Sequence, residues 1–156
     1  MLTKTQFKEQ LEGIYTEQIL QDRDDTKVAY FEDARLLVHL TPKASITQGT
    51  GATLLVARIE YSDIYNEPTL YIQLLKQEVG QNGLETSSHP KVKDMNKFLP
   101  DEYKTLFVVQ PEVLDSSVWW CFHQCDTQEI VGRSDRNSDT YLKRWMSVFL
   151  FSWLND

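Results

Sequence analysis

The sequence predicts an α+β fold, a four- to five-stranded antiparallel meander flanked by an N-terminal and a C-terminal helix. Apolar residues recur at helical spacing at both ends of the chain, whereas between them they alternate with polar residues, as in half-buried strands. Helices before and after a run of strands are typical of a sheet with one face or its ends covered. A chain of 156 residues suits one core, so we expect residues 1–156 to form a single domain.

The first helix is indicated over roughly the first twenty residues. Thr3 followed by Gln6 fits a capping box, in which two side chains satisfy backbone N–H groups at the start of a helix. The apolar residues that follow recur at helical spacing: Phe7, Leu11, Ile14 and Tyr15. The charged stretch QDRDDTK at 21–27 then predicts a turn.

Three strands are predicted in the next part of the chain. The stretch ARLLVHL at 34–40 alternates as a strand does, and TLLVARIEY at 53–61 places Leu55, Ala57, Ile59 and Tyr61 on one face. The turn-rich SDIYNEP separates it from TLYIQLLKQE at 69–78. Residues 52–78 therefore predict an antiparallel hairpin.

A long loop, a second hairpin and a final helix complete the prediction. Residues 79–104 are polar and rich in Gly and Pro, which indicates a loop with at most one short helix. LFVVQPEV at 106–113 and SVWWCFH at 117–123 predict strands around the turn LDSS, and Pro111 restricts the first strand to a sheet edge or a strand end. Ser138 or Asp139 can cap a last helix whose apolar stripe indicates core packing: Leu142, Trp145, Met146, Phe149, Leu150 and Trp153.

Composition excludes several classes of function. A net charge of -7 and a pI near 5.0 disfavour a nucleic-acid partner, because neutralising phosphates needs clustered Lys and Arg. The first ten residues lack the apolar core of a signal peptide, and no apolar run is long enough to span a bilayer. We therefore expect a cytoplasmic protein that acts on a protein partner or a small substrate.

The segment WWCFHQCDTQ at 119–128 carries the candidate chemistry. Cys125 lies where the predicted strand ends, and a thiol at such a junction is partly exposed and held by a rigid scaffold. Asp126 beside it disfavours the thiolate by charge repulsion. That suits exchange between thioesters, where positioning carries most of the catalysis, better than hydrolysis.

Other interpretations of these residues stay open at this point. Cys121, inside the strand, fits a small packed hydrophobe. Zinc binding by Cys121, His123 and Cys125, with His89 as a fourth ligand, is a second possibility, although paired ligand knuckles are absent. A cysteine protease could take its base from His123, His89 or His39, but no protease signature surrounds them.

Several segments in order along the chain resemble the autophagy ubiquitin-conjugating-like enzymes. The resemblance extends over nearly the whole chain and rests on YSDIYNEP at 61–68, His89-Pro90, SVWWCF at 117–122, HQCDT at 123–127 and TYLKRWMSVFLFSWL at 140–154. It implies a variant of the ubiquitin-conjugating-enzyme fold, in agreement with the α+β prediction.

The resemblance also implies an activity. Cys125 is expected to accept a ubiquitin-like modifier, autophagy-related protein twelve, as a thioester from the activating enzyme, autophagy-related protein seven. A lysine of the acceptor, autophagy-related protein five, then attacks the thioester. Such acyl transfer in two steps needs no metal or organic cofactor.

The resemblance leaves the oxyanion donor to be assigned. Ordinary ubiquitin-conjugating enzymes use the Asn of a His-Pro-Asn motif that is missing here, and we expect His123 and Tyr65 to replace it. Gln124 stands where the family usually has proline, which loosens the backbone before Cys125. For His89-Pro90 we expect a structural role.

Two further expectations concern binding. Direct docking of the acceptor requires an exposed surface, and we expect an edge of the 53–78 hairpin to supply it by β-augmentation. The alternative to an enzyme is a non-catalytic protein-binding module of the same fold, in which Cys125 only packs.

Overall fold

The structure, a computed structural model, describes residues 2–17, 26–32, 34–44, 51–80, 83–87, 109–122 and 140–150. These ranges contain two helices and seven strands. In chain order they are α1 Lys4–Thr16, β1 Thr26–Glu32, β2 Arg35–Leu40, β3 Leu54–Ser62, β4 Glu67–Gly80, β5 Gly83–Ser87, β6 Val109–Leu114, β7 Ser117–Phe122 and α2 Tyr141–Phe149.

The described strands form one antiparallel sheet in the order β1-β2-β3-β4-β7-β6, with β5 paired to the far end of β4. The predicted α+β class is confirmed, but there are more strands than the predicted four or five. The order also departs from a simple meander, because β7 returns beside β4 and leaves β6 outermost. Within the described residues, neither helix has the length and apolar content needed to cross a membrane.

The two unpredicted strands have local explanations. β1 begins at Thr26, inside the run QDRDDTK that we interpreted as a turn, and it pairs with β2 through Glu32↔Arg35. β5 lies in the stretch interpreted as a loop, and it pairs back onto β4 from Gly80↔Gly83 outward. The charged residues around the start of β1 and the glycines around β5 favour turns locally. Pairing with β2 and with β4 nevertheless stabilises both segments as strands.

The first helix begins as its capping box predicts. Thr3 Oγ1 accepts a hydrogen bond from Gln6 N at 3.1 Å, and Gln6 Oε1 accepts one from Thr3 N at 2.9 Å. The helix ends at Thr16, somewhat before the predicted twentieth residue. Its apolar face, Phe7, Leu11 and Ile14, is buried against the sheet core.

The last helix packs through the predicted apolar stripe. Its buried residues are Tyr141, Leu142, Trp145, Met146 and Phe149, and Leu150 follows them into the core. The rings of Trp145 and Phe149 stack with centroids 5.0 Å apart. The N-cap prediction was wrong, because Thr140 occupies that position and no side chain makes the capping bond. Ser138, Asp139 and Trp153 lie outside the described residues.

The sheet has two unlike faces. The face under the helices is apolar along every central strand: Leu36, Val38, Leu40, Leu55, Ala57, Ile59, Leu70, Ile72, Leu74, Trp120 and Phe122. Because side chains alternate across a strand, the residues between these lie on the opposite face. There Leu54, Val56 and Trp119 form a smaller cluster beside the buried polar residues Arg58 and Gln73.

Both predicted hairpins are confirmed. β3 and β4 pair from Leu54↔Leu75 to Ser62↔Glu67, and β6 and β7 pair around Asp115 and Ser116. Pro111 lies in the outermost described strand, where a missing N–H is tolerated. The expectation that the 53–78 hairpin offers a free edge was wrong, because β3 pairs with β2 on its other side and β4 pairs with β7.

Candidate active site

One of the three predicted site residues, Tyr65, lies in the described part of the chain. It belongs to the turn between β3 and β4, and its side chain is half exposed. His123 and Cys125 lie outside the described residues, as do Gln124 and His89-Pro90. Before these residues the chain is described as far as Phe122, the last residue of β7, and the described part of the site consists of the elements around that end of β7.

The turn that carries Tyr65 is stabilised by its own backbone and side chains. Asn66 N donates to Ser62 O at 2.8 Å, and Tyr65 N donates to Ser62 Oγ at 3.3 Å. Asn66 has a φ of 53°, in the left-handed region that asparagine tolerates better than most residues. The sequence SDIYN therefore closes a tight turn directly before β4.

Both ends of the chain anchor this turn. The Tyr61 hydroxyl lies 2.6 Å from Leu2 O and 3.1 Å from Asn66 Oδ1. A hydroxyl has one proton, so the shorter contact receives it, and the Asn66 amide is then best oriented with its NH₂ group donating to the tyrosine.

From the other end, the Tyr141 hydroxyl donates to Glu67 Oε2 at 2.7 Å, and both side chains are buried. The first residue of α2 is thereby bonded to the first residue of β4. Burial strengthens such a bond electrostatically, because little water competes for it. The position of Tyr65 is therefore set by the N-terminal segment and the last helix together.

A cavity of about 230 Å³ lies between this turn and strands β4, β6 and β7. Tyr65 lines one side of it, and Tyr71, Glu112, Cys121 and Phe122 line others. Since Phe122 is the last described residue before His123 and Cys125, the fold brings Tyr65 to the end of the strand that leads into the candidate nucleophile. Tyr65 and Cys121 are 56 residues apart along the chain, so this proximity arises from the sheet order and not from local sequence.

Cys121 is buried in the wall of this cavity, with 8% of its surface exposed. Burial raises the pKa of its thiol to about 12, and the nearby Glu112 carboxylate adds to the rise by its charge and by accepting a hydrogen bond. A thiol with this pKa is neutral at physiological pH and is a poor nucleophile. The interpretation of Cys121 as a packed residue is confirmed.

Two other titratable groups on this side of the sheet are also shifted. Burial raises the pKa of Tyr71, and the neighbouring Cys121 and Glu112 add to the effect. Burial lowers the pKa of His39, which lies on β2. Because β3 and β4 separate β2 from β7, His39 is about 14 Å from the strand of Cys121 and cannot act as its base.

Sequence reasoning missed Glu112 and Tyr71 as neighbours of Cys121. The two-residue turn at Asp115 and Ser116 fixes the register that puts Gln110 opposite Cys121. Glu112 is two residues from Gln110 and so lies on the same face, which means that the turn alone could have predicted Glu112 as a neighbour of Cys121. The proximity of Tyr71, which pairs with Cys121 across β4 and β7, has no such local signal. No metal-binding group of three or more His, Cys, Asp or Glu side chains occurs among the residues the structure describes, and His89, His123 and Cys125 of the zinc hypothesis are outside those residues.

The chain matches a family model over most of its length. Residues 3–154 match the family described as autophagocytosis associated protein, active-site domain. The match includes both helices, every described strand and the segment with Cys125. The chain therefore belongs to this family of autophagy proteins.

Relatives of known name specify the class. The chain is 32% identical to the ubiquitin-like-conjugating enzyme ATG10 of Saccharomyces cerevisiae, with 99% of this chain and 97% of the yeast protein covered. It is 35% identical to the ATG10 of Candida glabrata over 72% of this chain and 73% of that protein.

Solved structures agree with the fold. One described as the crystal structure of the autophagic E2, Atg10, superposes with a TM-score of 0.77 at 29% identity, covering 99% of this chain and 98% of that one. The solution structure of KmAtg10 shares the fold, with a TM-score of 0.70 at 22% identity over 98% and 95% of the two chains.

These findings identify a ubiquitin-like-conjugating enzyme of autophagy, a transferase with a variant ubiquitin-conjugating-enzyme fold. Within that class it is an ATG10-like protein, so the resemblance found in the sequence is confirmed. The class implies a ubiquitin-like modifier and an acceptor protein as partners in general terms.

Proposed function

We propose that Cys125 is the nucleophile that carries the modifier. In the first step the Cys125 thiolate attacks the thioester carbonyl on the activating enzyme, whose cysteine leaves as a thiolate. In the second step a lysine amine of the acceptor attacks the new thioester. An isopeptide bond forms, the amine loses a proton, and Cys125 leaves as its thiol.

The proximity of Tyr65 to the end of β7 is the observation that supports this proposal best. Tyr65 and Phe122 line the same cavity, and Cys125 follows Phe122 by three residues. Three residues of chain span at most about 11 Å, so chain connectivity alone limits the distance of Cys125 from Phe122 to that length. The other cysteine, Cys121, is disqualified by the raised pKa of its buried thiol.

We assign Tyr65 and His123 as donors to the oxyanion of the tetrahedral intermediate. Donors fixed in place before the reaction stabilise such an intermediate more than water does, because they need no reorganisation. The backbone of the turn that carries Tyr65 is held in place by the Tyr61–Asn66 and Tyr141–Glu67 contacts, which supports this assignment. His123 stands next to Phe122 in the sequence. The reaction as proposed needs no cofactor.

The partners follow from the same proposal. The modifier is autophagy-related protein twelve, the activating enzyme is autophagy-related protein seven, and the acceptor is autophagy-related protein five. We propose a cytoplasmic location, because a thiol nucleophile needs a compartment that keeps thiols reduced. We also propose that residues 1–156 act as a single domain, which the match of residues 3–154 to one family model supports.

The test is to incubate the protein with the activating enzyme, the modifier and ATP and to analyse the products on non-reducing gels. Wild type and the matched variant Cys121→Ala are expected to form an adduct that thiols cleave, whereas Cys125→Ala is expected to form none. Cys125→Ser should give an adduct that resists thiols, because an oxyester replaces the thioester.

The outcomes distinguish a conjugating enzyme from a non-catalytic protein-binding module of the same fold. Loss of the adduct in Cys121→Ala but not in Cys125→Ala would contradict the assignment of the nucleophile. A wild-type protein that forms no adduct but still binds the acceptor would instead be a non-catalytic binding module, and Cys125→Ala would then leave cellular function unchanged.

A further inference from the structure

The strand that leads to Cys125 is joined to the central sheet by a short backbone ladder. In the described part of the chain, β7 pairs with β4 at Tyr71↔Cys121 and Ile72↔Trp120, near one end of β7. Its pairing with β6 extends along the whole strand, from Leu114↔Ser117 to Val109↔Phe122. Among the described residues, backbone hydrogen bonds therefore join the β6–β7 hairpin to the sheet only near Trp120 and Cys121. The turn at Asp115 and Ser116, which we call the tip, must be held by other contacts.

Side chains provide that attachment on the face opposite the helices. Gln73 Nε2 donates to Val118 O at 3.0 Å. At the tip, Arg58 Nη1 donates to Asp115 Oδ2 at 2.8 Å, and the Arg58 guanidinium lies 5.9 Å from the centroid of the Trp119 ring. Arg58 belongs to β3, so these contacts reach across β4 to the hairpin.

Arg58 is held in place by contacts within the sheet as well as by the hairpin. It is 7% exposed, and its Nε donates to Glu60 Oε1 at 2.7 Å, an oxygen that Arg35 Nε also contacts at 2.8 Å. Asp115 in contrast has a side chain that is 76% exposed, but its backbone is held in a two-residue turn with a φ of 50°. The Arg58–Asp115 contact, which we call the tip ion pair, thus joins a rigid point on the sheet to a rigid turn.

We infer that the tip ion pair positions the β6–β7 hairpin for acyl transfer, so that Arg58 and Asp115 are positioning residues for the reaction at Cys125. This inference rests on the proposed function. Any tilt of the hairpin about its short ladder at Cys121 would be transmitted to Cys125, which follows Cys121 by four residues, at most about 13 Å of extended chain. A tilt of about 5° moves a point at that distance by about 1 Å, a misplacement that can cost roughly 100-fold in rate.

The variant Asp115→Asn tests the inference with little disturbance of the turn. Asparagine has the same shape and favours the left-handed backbone at this position, while the charge that attracts Arg58 is lost. Glu17→Gln is the matched control, because Glu17 is also exposed, at 57%, and pairs with Lys143 at 2.9 Å on the helices, away from the hairpin.

The first measurement is the rate at which the preformed thioester is discharged to free lysine. At about 20 mM salt we expect Asp115→Asn to lower kcat by about five-fold, with KM for lysine unchanged. At about 1 M salt we expect wild type to be slower, so that its kcat exceeds that of Asp115→Asn by less than about two-fold. Salt has this effect because it screens the tip ion pair in wild type and has no such pair to screen in the variant. Glu17→Gln should match wild type at both salt concentrations.

The second measurement is amide hydrogen exchange in residues 117–122, which reports on the hairpin without any reaction. Asp115→Asn should exchange several-fold faster there, and Glu17→Gln should not. The inference would be overturned if wild type and Asp115→Asn discharged the thioester at equal rates at low salt. It would also be overturned if Asp115→Asn lowered kcat by the same factor at both salt concentrations. If wild type forms no thioester, the proposed function fails, and unchanged exchange in Asp115→Asn would then overturn the tip ion pair as well.

Discussion

The two cysteines show how position in a strand determines the chemistry of a residue. Cys121 lies inside β7, where the sheet buries it and Glu112 stabilises its protonated form, so the thiol is kept neutral. Cys125 is four residues further on and follows the last described residue of the strand by three. The sequence alone gave the correct interpretation of Cys121, because its place between Trp120 and Phe122 indicates a strand interior.

We predict a large difference in alkylation between the two thiols. With a pKa of about 12, only about one Cys121 thiol in ten thousand is ionised at pH 8, against about one in four for an ordinary cysteine with a pKa of about 8.5. The fraction rises tenfold for each pH unit, so labelling of Cys121 should stay slow below about pH 10. Iodoacetamide treatment followed by peptide mass spectrometry measures both sites. Faster labelling of Cys121 than of Cys125 in the folded protein would contradict this prediction.

The hydroxyl of Tyr65 gives a second prediction for a single residue. If it stabilises the oxyanion, Tyr65→Phe should slow discharge of the thioester to free lysine by roughly 100-fold or more. Loading of Cys125 should change less, because thioester exchange has the lower barrier. Single-turnover assays of the two steps measure each rate. Ile64→Ala is the control, since Ile64 is the adjacent turn residue and is 83% exposed. Equal discharge by wild type and Tyr65→Phe would remove Tyr65 from the site.

Among the elements, the β6–β7 turn has a feature that its sequence does not favour. Asp115 and Ser116 both have positive φ, at 50° and 66°, and a two-residue turn of this kind is the type I′ hairpin turn. Asn-Gly is the preferred pair at these positions, because glycine meets no steric penalty in the left-handed region. Ser116 therefore holds a conformation that costs about 1 kcal/mol.

Ser116→Gly should raise the free energy of unfolding by about 1 kcal/mol, because glycine adopts this conformation without strain. Chemical denaturation measures the change. The matched control is Ser117→Gly, one residue along in β7, where loss of the side chain should lower stability by about 0.5 to 1 kcal/mol. A decrease in stability for Ser116→Gly would contradict the assignment of the turn.

The elements also show which sequence signals are sufficient. The capping box of α1 and the apolar stripe of α2 are local patterns, and each gave the right element. β1 and β5 were missed because a charged run and a glycine-rich stretch favour turns locally, whereas pairing with β2 and β4 decides their structure. Strand formation depends on such partners more than helix formation does.

At the scale of the whole molecule, sequence patterns predicted the fold class and the buried face of the strand at 53–61, but not the order of the strands. The alternating pattern of 53–61 placed Leu55, Ala57 and Ile59 on one face, and the structure confirms all three in the main core. That β7 lies beside β4 could not be read from either strand, because nothing local specifies a partner more than forty residues away. The meeting of Tyr65 with the end of β7 follows from that order, so this part of the candidate site needed the structure.

The outermost place of β6 in the described sheet has a consequence for the behaviour of the protein at high concentration. Proline and charged side chains on an outer strand discourage sheets from joining edge to edge. β6 carries Pro111 and the exposed Glu112 in its middle. Pro111 and Glu112, in the outermost described strand, therefore also disfavour aggregation through this edge of the sheet.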